Sequence, residues 1–189
     1  MINAKKQNGF TLIELLIAIT ISVILFMILA SSYSLSQKIY TKTDIKAEIT
    51  QNGRVILDRT IRELRQTPDI VTELPEDNSN ASAIGHEIMF QDGHDTSNIN
   101  YIRYFLDGNN LNRQEIYYYF SEDPSVHVSW NAKDRDGSDP QLASSTPRII
   151  GEYVDDMEFW GKKLININLY LSKGNESEIL YTAVYGRNL

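Results

Sequence analysis

The chain contains no cysteine, which excludes disulfide bridges and thiolate metal sites. At 189 residues it can bury a core that holds without such staples. Proline is scarce, with five in all and none before Pro68, so nothing in the first third breaks a helix. No glycine-rich phosphate loop is present. The three histidines, His86, His94 and His127, lack metal-ligand spacing, and no serine stands out as a nucleophile with a base beside it. These absences argue against an enzyme, and no cofactor is expected.

Charge of one sign is also in short supply. Through Gln66 there are nine Lys/Arg against five Asp/Glu; beyond it there are nine against twenty, within an overall −7. An acidic carboxyl-terminal portion repels phosphates, so nucleic acid is not an expected partner. Solubility is the plainest use of that charge.

What the chain does have is concentrated at its start. Lys5 and Lys6 precede Gly9, and an apolar run follows from Phe10 to Ala30 whose only ionisable side chain is Glu14. As a helix those residues extend about 31 Å, matching a bilayer core of about 30 Å. An ordinary secretory signal carries its small-residue cleavage site after the apolar stretch. Here Gly9 lies before it, so a cut there leaves the apolar segment on the mature protein. Lys5 and Lys6 hold that end in the cytoplasm by the positive-inside rule, which places the rest of the chain outside. Cleavage after Gly9 also creates a cation, the amine of Phe10. Glu14 can meet such an amine within its own helix at i,i+4 spacing, or between staggered neighbouring chains; a glutamate that snorkels to the headgroups is the simpler alternative. A carboxylate at mid-bilayer costs roughly 2.5–3.5 kcal/mol, and less near the interface. Ala18, Thr20, Ser22 and Ala30 are small enough to face neighbouring helices in lipid.

The run Gly9-Phe10-Thr11-Leu12-Ile13-Glu14 behind a lysine-bearing leader resembles the amino terminus of type IV pilins and of the pseudopilins of type II secretion. The resemblance implies cleavage after Gly9 by a prepilin peptidase, with Lys5 and Lys6 contributing charge, and N-methylation of Phe10. It also implies an assembly salt bridge from Glu14 to a neighbouring subunit's amine. Further runs are similar to the J-type minor pseudopilins and W-type minor pilins: Ile56–Gln66, Tyr101–Leu106 with Leu111-Asn112-Arg113, Val154–Phe159, and Ala183–Asn188. The implied partners are other pilins or pseudopilins, the prepilin peptidase and inner-membrane assembly machinery. The implied location is a single-pass membrane protein with an extracytoplasmic head.

The expected fold is α+β: one long amino-terminal helix whose outer half packs on an antiparallel β-sheet head. The expected segments are a leader at 1–9, a transmembrane half-helix at 10–30, an outer half at 31–66 and a β-rich head at 67–189. Residues 10–66 would extend about 86 Å as one helix, too long to be buried in such a head, so it is expected to project. Ile45, Ile49, Ile56, Leu57, Ile61 and Leu64 recur near helical spacing, and Thr67-Pro68 is a stop. Gly53 costs the helix about 1 kcal/mol relative to alanine and marks a bend or a close contact. A loop is expected from Asp69 to Ile84. Strands are expected at Glu87–Gln91, Tyr101–Leu106, Glu115–Phe120 and Val126–Trp130, with a hairpin turn at Asp107–Asn110. Ile165, Ile167, Leu169 and Leu171 alternate with polar or amphipathic residues, the sign of a strand buried on one face. Ile179–Tyr185 is its expected partner. Asn131–Pro147 reads as the most disordered stretch.

Two other clusters carry possible chemistry. Arg59, Arg62 and Arg65 form a ridge on the helix, solvated or paired across subunits. Asp134, Asp136 and Asp139 surround Gly137 in a pattern hard cations use, although the downstream glutamate of an EF-hand is missing. The functional expectation is a minor subunit of a type IV pilus or type II secretion filament, at or near its tip. The rival is a signal-anchored exported binding or adhesive protein that acts alone.

Overall fold

A computed structural model describes residues 11–79, 85–94 and 98–186. The chain divides into two compact units, Met1–Asp44 and Ile45–Leu189, and one α-helix, α1 (Leu12–Gln66), contributes to both. In the first unit every described side chain, from Thr11 to Asp44, is exposed. Leucine and isoleucine dominate it, and an 18-residue window reaches a mean hydropathy of 2.9. This is long and apolar enough to cross a membrane.

The second unit is built around the outer part of α1 and two antiparallel sheets. Ile49, Gly53, Ile56, Leu57, Thr60 and Leu64 are the buried helix positions, spaced at threes, fours and sevens as an amphipathic helix requires. Ile45 and Ile61, expected in the same stripe, are half-buried. The helix ends where Pro68 forbids continuation. Thr67, fully buried, ties that end down: its Oγ1 lies 2.8 Å from the Asp69 carbonyl and 2.7 Å from that of Gln91.

The first sheet contains β1 (Ile88–Gln91), β2 (Asn100–Asp107), β3 (Asn110–Phe120), β4 (Asp123–Val128), β5 (Gln141–Ser144) and β6 (Arg148–Gly151). The β2–β3 hairpin turns at Gly108, whose φ of 58° suits glycine, with Asp107 opposite Asn110. β3 is the organising strand. β2 pairs with it through Tyr117 and β4 takes over at Tyr118. β6 pairs with Leu111–Arg113 and β5 with Ile116–Tyr119.

The second sheet has the order β7 (Val154–Trp160), β8 (Leu164–Lys173), β9 (Glu176–Tyr185). On β8 the expected alternation holds, with Ile165, Ile167, Leu169 and Leu171 all 1% exposed or less. One hydrophobic core joins α1 to both sheets, from Ile56 and Leu64 through Phe90 and Tyr104 to Met157 and Leu169. The α+β class is therefore as expected, an N-terminal helix packed on antiparallel sheet.

β4 runs Asp123–Val128 where Val126–Trp130 is expected, and the head differs from expectation in further respects. It holds two sheets instead of one. β3 starts five residues before the anticipated Glu115: Asn110, Asn112, Arg113 and Gln114 are polar and only Leu111 is apolar, yet the segment pairs with β2, and its Leu111–Arg113 with β6 as well. The stretch Asn131–Pro147 contains β5, a short strand with mostly exposed residues. Its composition carries no apolar alternation; only the long free flank of β3 makes it a strand.

Candidate assembly site on the N-terminal helix

Thr11 and Glu14 form a reciprocal cap at the start of α1. The Thr11 backbone N–H donates to Glu14 Oε2 (2.8 Å), as does the Thr11 hydroxyl (2.9 Å). The Glu14 N–H reaches back to Thr11 Oγ1 at 3.3 Å. This is a capping box, Thr-x-x-Glu, satisfying donors that a helix terminus otherwise leaves open. The signal was present in the sequence, but Thr11 was not singled out there. The carboxylate is thus oriented along its own helix start, with Oε1 uncommitted among the described contacts. Gly9, Phe10, Lys5 and Lys6, the other expected processing and assembly residues, lie outside the described residues.

Further along the apolar segment, hydroxyls are satisfied by their own helix. Thr20 donates to the Ile17 carbonyl and Ser22 to that of Ala18, each at 2.8 Å. Side-chain-to-backbone bonds of this kind remove the penalty of a bare hydroxyl in an apolar medium. Ala18 and Ala30 are exposed and small, so close helix approach is open there.

A second polar constellation fixes α1 on the head. Glu63 and Arg113 have side chains only 12% exposed, and Arg113 Nε lies 3.1 Å from both Glu63 oxygens. The Tyr104 hydroxyl donates to Glu63 Oε2 at 2.6 Å, Arg113 Nη1 donates to Glu115 at 2.7 Å, and Arg59 approaches Glu63 at 3.4 Å. Burial, and then the negative Glu63, push the Tyr104 phenol well above its ordinary range. Burial works against the charge on Arg113, but its bonds to Glu115 and Glu63 outweigh that and raise it. The cluster locks α1 to β2 and β3. In the sequence Glu63 and Arg113 stand only as members of longer runs; their pairing is a product of tertiary structure.

The remaining candidates do not converge. Of the arginine ridge, Arg59 pairs with Glu63 and Arg62 with Asp58 (2.9 Å), both at i,i+4, while Arg65 is exposed. In the aspartate loop Asp134 accepts from the Arg135 N–H (2.6 Å) and its carbonyl from Gly137 (2.9 Å), while Asp139 pairs with Lys133. No group of three or more His, Asp or Glu side chains suited to a metal occurs among the described residues. The histidines are dispersed: His86 bonds Asp156, His94 bonds Asp92, and His127 bonds Asn100 while stacking on Tyr117 at 4.3 Å.

The family model for the prokaryotic N-terminal methylation motif matches residues 4–30, the segment that contains the Thr11–Glu14 cap. The match supports a type IV pilin-like protein and a structural subunit in place of an enzyme. It implies dealings with other pilins and with a prepilin peptidase, and together with the apolar helix it fits a membrane-anchored chain. No curated protein and no solved structure matches the chain.

Proposed function

We propose that the chain is a minor pilin or pseudopilin of a type IV pilus or type II secretion filament, acting at or near the filament tip. The peptidase cuts after Gly9, Phe10 becomes the methylated first residue, and Glu14 receives the amine of a neighbouring subunit as the helices bundle. The leader stays in the cytoplasm and the head lies outside. The observation that carries this reading is the methylation motif over residues 4–30, set on an exposed apolar helix with one carboxylate. A buried charge is tolerated only when it is paired. The cap supports the same reading: Thr11 satisfies one oxygen of Glu14 and leaves the other to accept an ammonium.

Two measurements test it. The amino-terminal residue of protein recovered from its host should be N-methylated Phe10; a chain that begins at Met1 removes the reading. Glu14→Ala should lower incorporation into filaments while the head unfolds at the wild-type temperature, and normal assembly by that variant would refute the electrostatic role. A chain found only as single anchored copies would favour the stand-alone binding protein.

A further inference from the structure

The outer part of α1 carries more arginine than the head neutralises. Lysine supplies every cation of α1 up to Lys46, and arginine every one from Arg54 onward. Either serves solubility, but the planar fork of arginine is matched to carboxylates, and arginine is enriched at protein interfaces where lysine is depleted. Arg54, Arg59 and Arg62 line one groove of about 610 Å³ together with Val55 and Asp58, and His94 stands at its wall. Arg65 is not among the residues that line it. The groove belongs wholly to the second unit, Ile45–Leu189.

The wall is set by a close approach of backbone to backbone. A Cβ on Gly93 would lie 1.9 Å from the Gln66 carbonyl oxygen, so only glycine lets the segment after β1 pass this near the end of α1. The next residue, His94, is held by Asp92, whose Oδ1 accepts from the His94 N–H at 3.0 Å and meets its Nδ1 at 2.8 Å.

Charge inside the groove does not balance. Its carboxylates are Asp58 and Glu63. Asp58 pairs with Arg62 at 2.9 Å. Glu63 is taken by Arg113, 3.1 Å from both of its oxygens, and by the Tyr104 hydroxyl; Arg59 reaches it only at 3.4 Å. Arg54 has no hydrogen bond or ion pair among the described residues. Among these guanidiniums Val55 offers an apolar side chain that is 59% exposed.

We propose that this groove receives an acidic segment from the head of a neighbouring subunit, with carboxylates on Arg54 and Arg59 and Val55 covered beside them. Arg54 and Arg62 are eight positions apart, about 12 Å along the helix axis. Cations strung over that length match a chain that bears several carboxylates, not one small anion. Asp58, Glu63 and the acidity of the rest of the head repel a nucleic acid. An acidic protein segment places its few carboxylates against the guanidiniums, where the bonds are bidentate. That the partner is another kind of subunit, and not a second copy, rests on the end-of-filament reading above.

The test uses the full chain in its native host, with p-benzoylphenylalanine in place of Val55. After irradiation the joined peptides are mapped by mass spectrometry. The expected result is a join to one run of one other chain that bears an N-terminal methylation motif, within a stretch where Asp and Glu outnumber Lys and Arg. Arg54→Glu sets like charge against that stretch and should lower the yield about tenfold or more. It removes no described contact, so tryptophan-detected unfolding should not change. Arg65→Glu makes the same change of charge on the same helix outside the groove and should leave the yield as it was. Joins to a neutral or basic stretch, to another copy or within the chain, no joins at all, or equal losses from Arg54→Glu and Arg65→Glu would each overturn the proposal. On chains that begin at Phe10, such a failure spares the filament reading. A chain that begins at Met1 overturns that reading whatever position 55 joins.

Discussion

Gly53→Ala opposes two effects of known size. Alanine in place of glycine inside a helix gains about 1 kcal/mol of propensity, so on an exposed helix this substitution stabilises. Gly53 is not exposed. A Cβ there would lie 2.5 Å from Leu180 Cδ1 and 2.8 Å from Leu171 Cδ1, with Leu169 Cδ2 at 3.6 Å. Leu171 and Leu169 are essentially inaccessible, at 1% and 0%, so the methyl can be admitted only by moving two leucine ends in a packed layer. Overpacking of this kind costs about 1–3 kcal/mol. The clash should win, with a net loss of about 1 kcal/mol and a midpoint lowered by about 2–4 °C. Thermal unfolding of the full chain in detergent, followed by the fluorescence of Trp130 and Trp160, reads the head and not the apolar helix. Leu180→Ala supplies the internal control. In the double variant the added methyl finds room, so the two losses should fall short of their sum by about 1 kcal/mol, beyond the roughly 0.5 kcal/mol scatter of independent sites. A raised midpoint for Gly53→Ala, or strict additivity, would show that the helix and β8–β9 are not in tight contact there.

Other expectations follow from the same coordinates. Glu63→Ala leaves Arg113 buried without its principal partner and should cost about 3 kcal/mol in denaturant unfolding; Arg113→Met together with Glu63→Met should cost less than Glu63→Ala alone. Tyr104 keeps its proton in the folded state well above the ordinary phenol value of 10.0, so its contribution is full below pH 10 and is lost as pH rises beyond it. Tyr104→Phe should accordingly flatten the fall of stability in alkaline solution, measured by unfolding at pH 9 to 11. Thr11→Val removes the capping box and should weaken the first turn by about 1 kcal/mol, seen as faster amide exchange at Ile13–Leu15 in micelles.

The parts of this protein that could be read in one dimension are those governed by local rules. The apolar run with its lone Glu14, the stop at Thr67-Pro68, the Asp107–Asn110 turn and the alternation on β8 each follow from neighbours a few residues apart. The capping box was equally local and lay in Thr11 and Glu14. β5 was not readable, because its four residues become a strand only against a flank of β3 more than twenty positions away. Glu63 and Arg113, fifty residues apart, declare no pairing until α1 lies across β2 and β3. Periodicity and charge placement act over one turn or one pleat; partner choice among distant backbone and buried ionic groups is settled by packing.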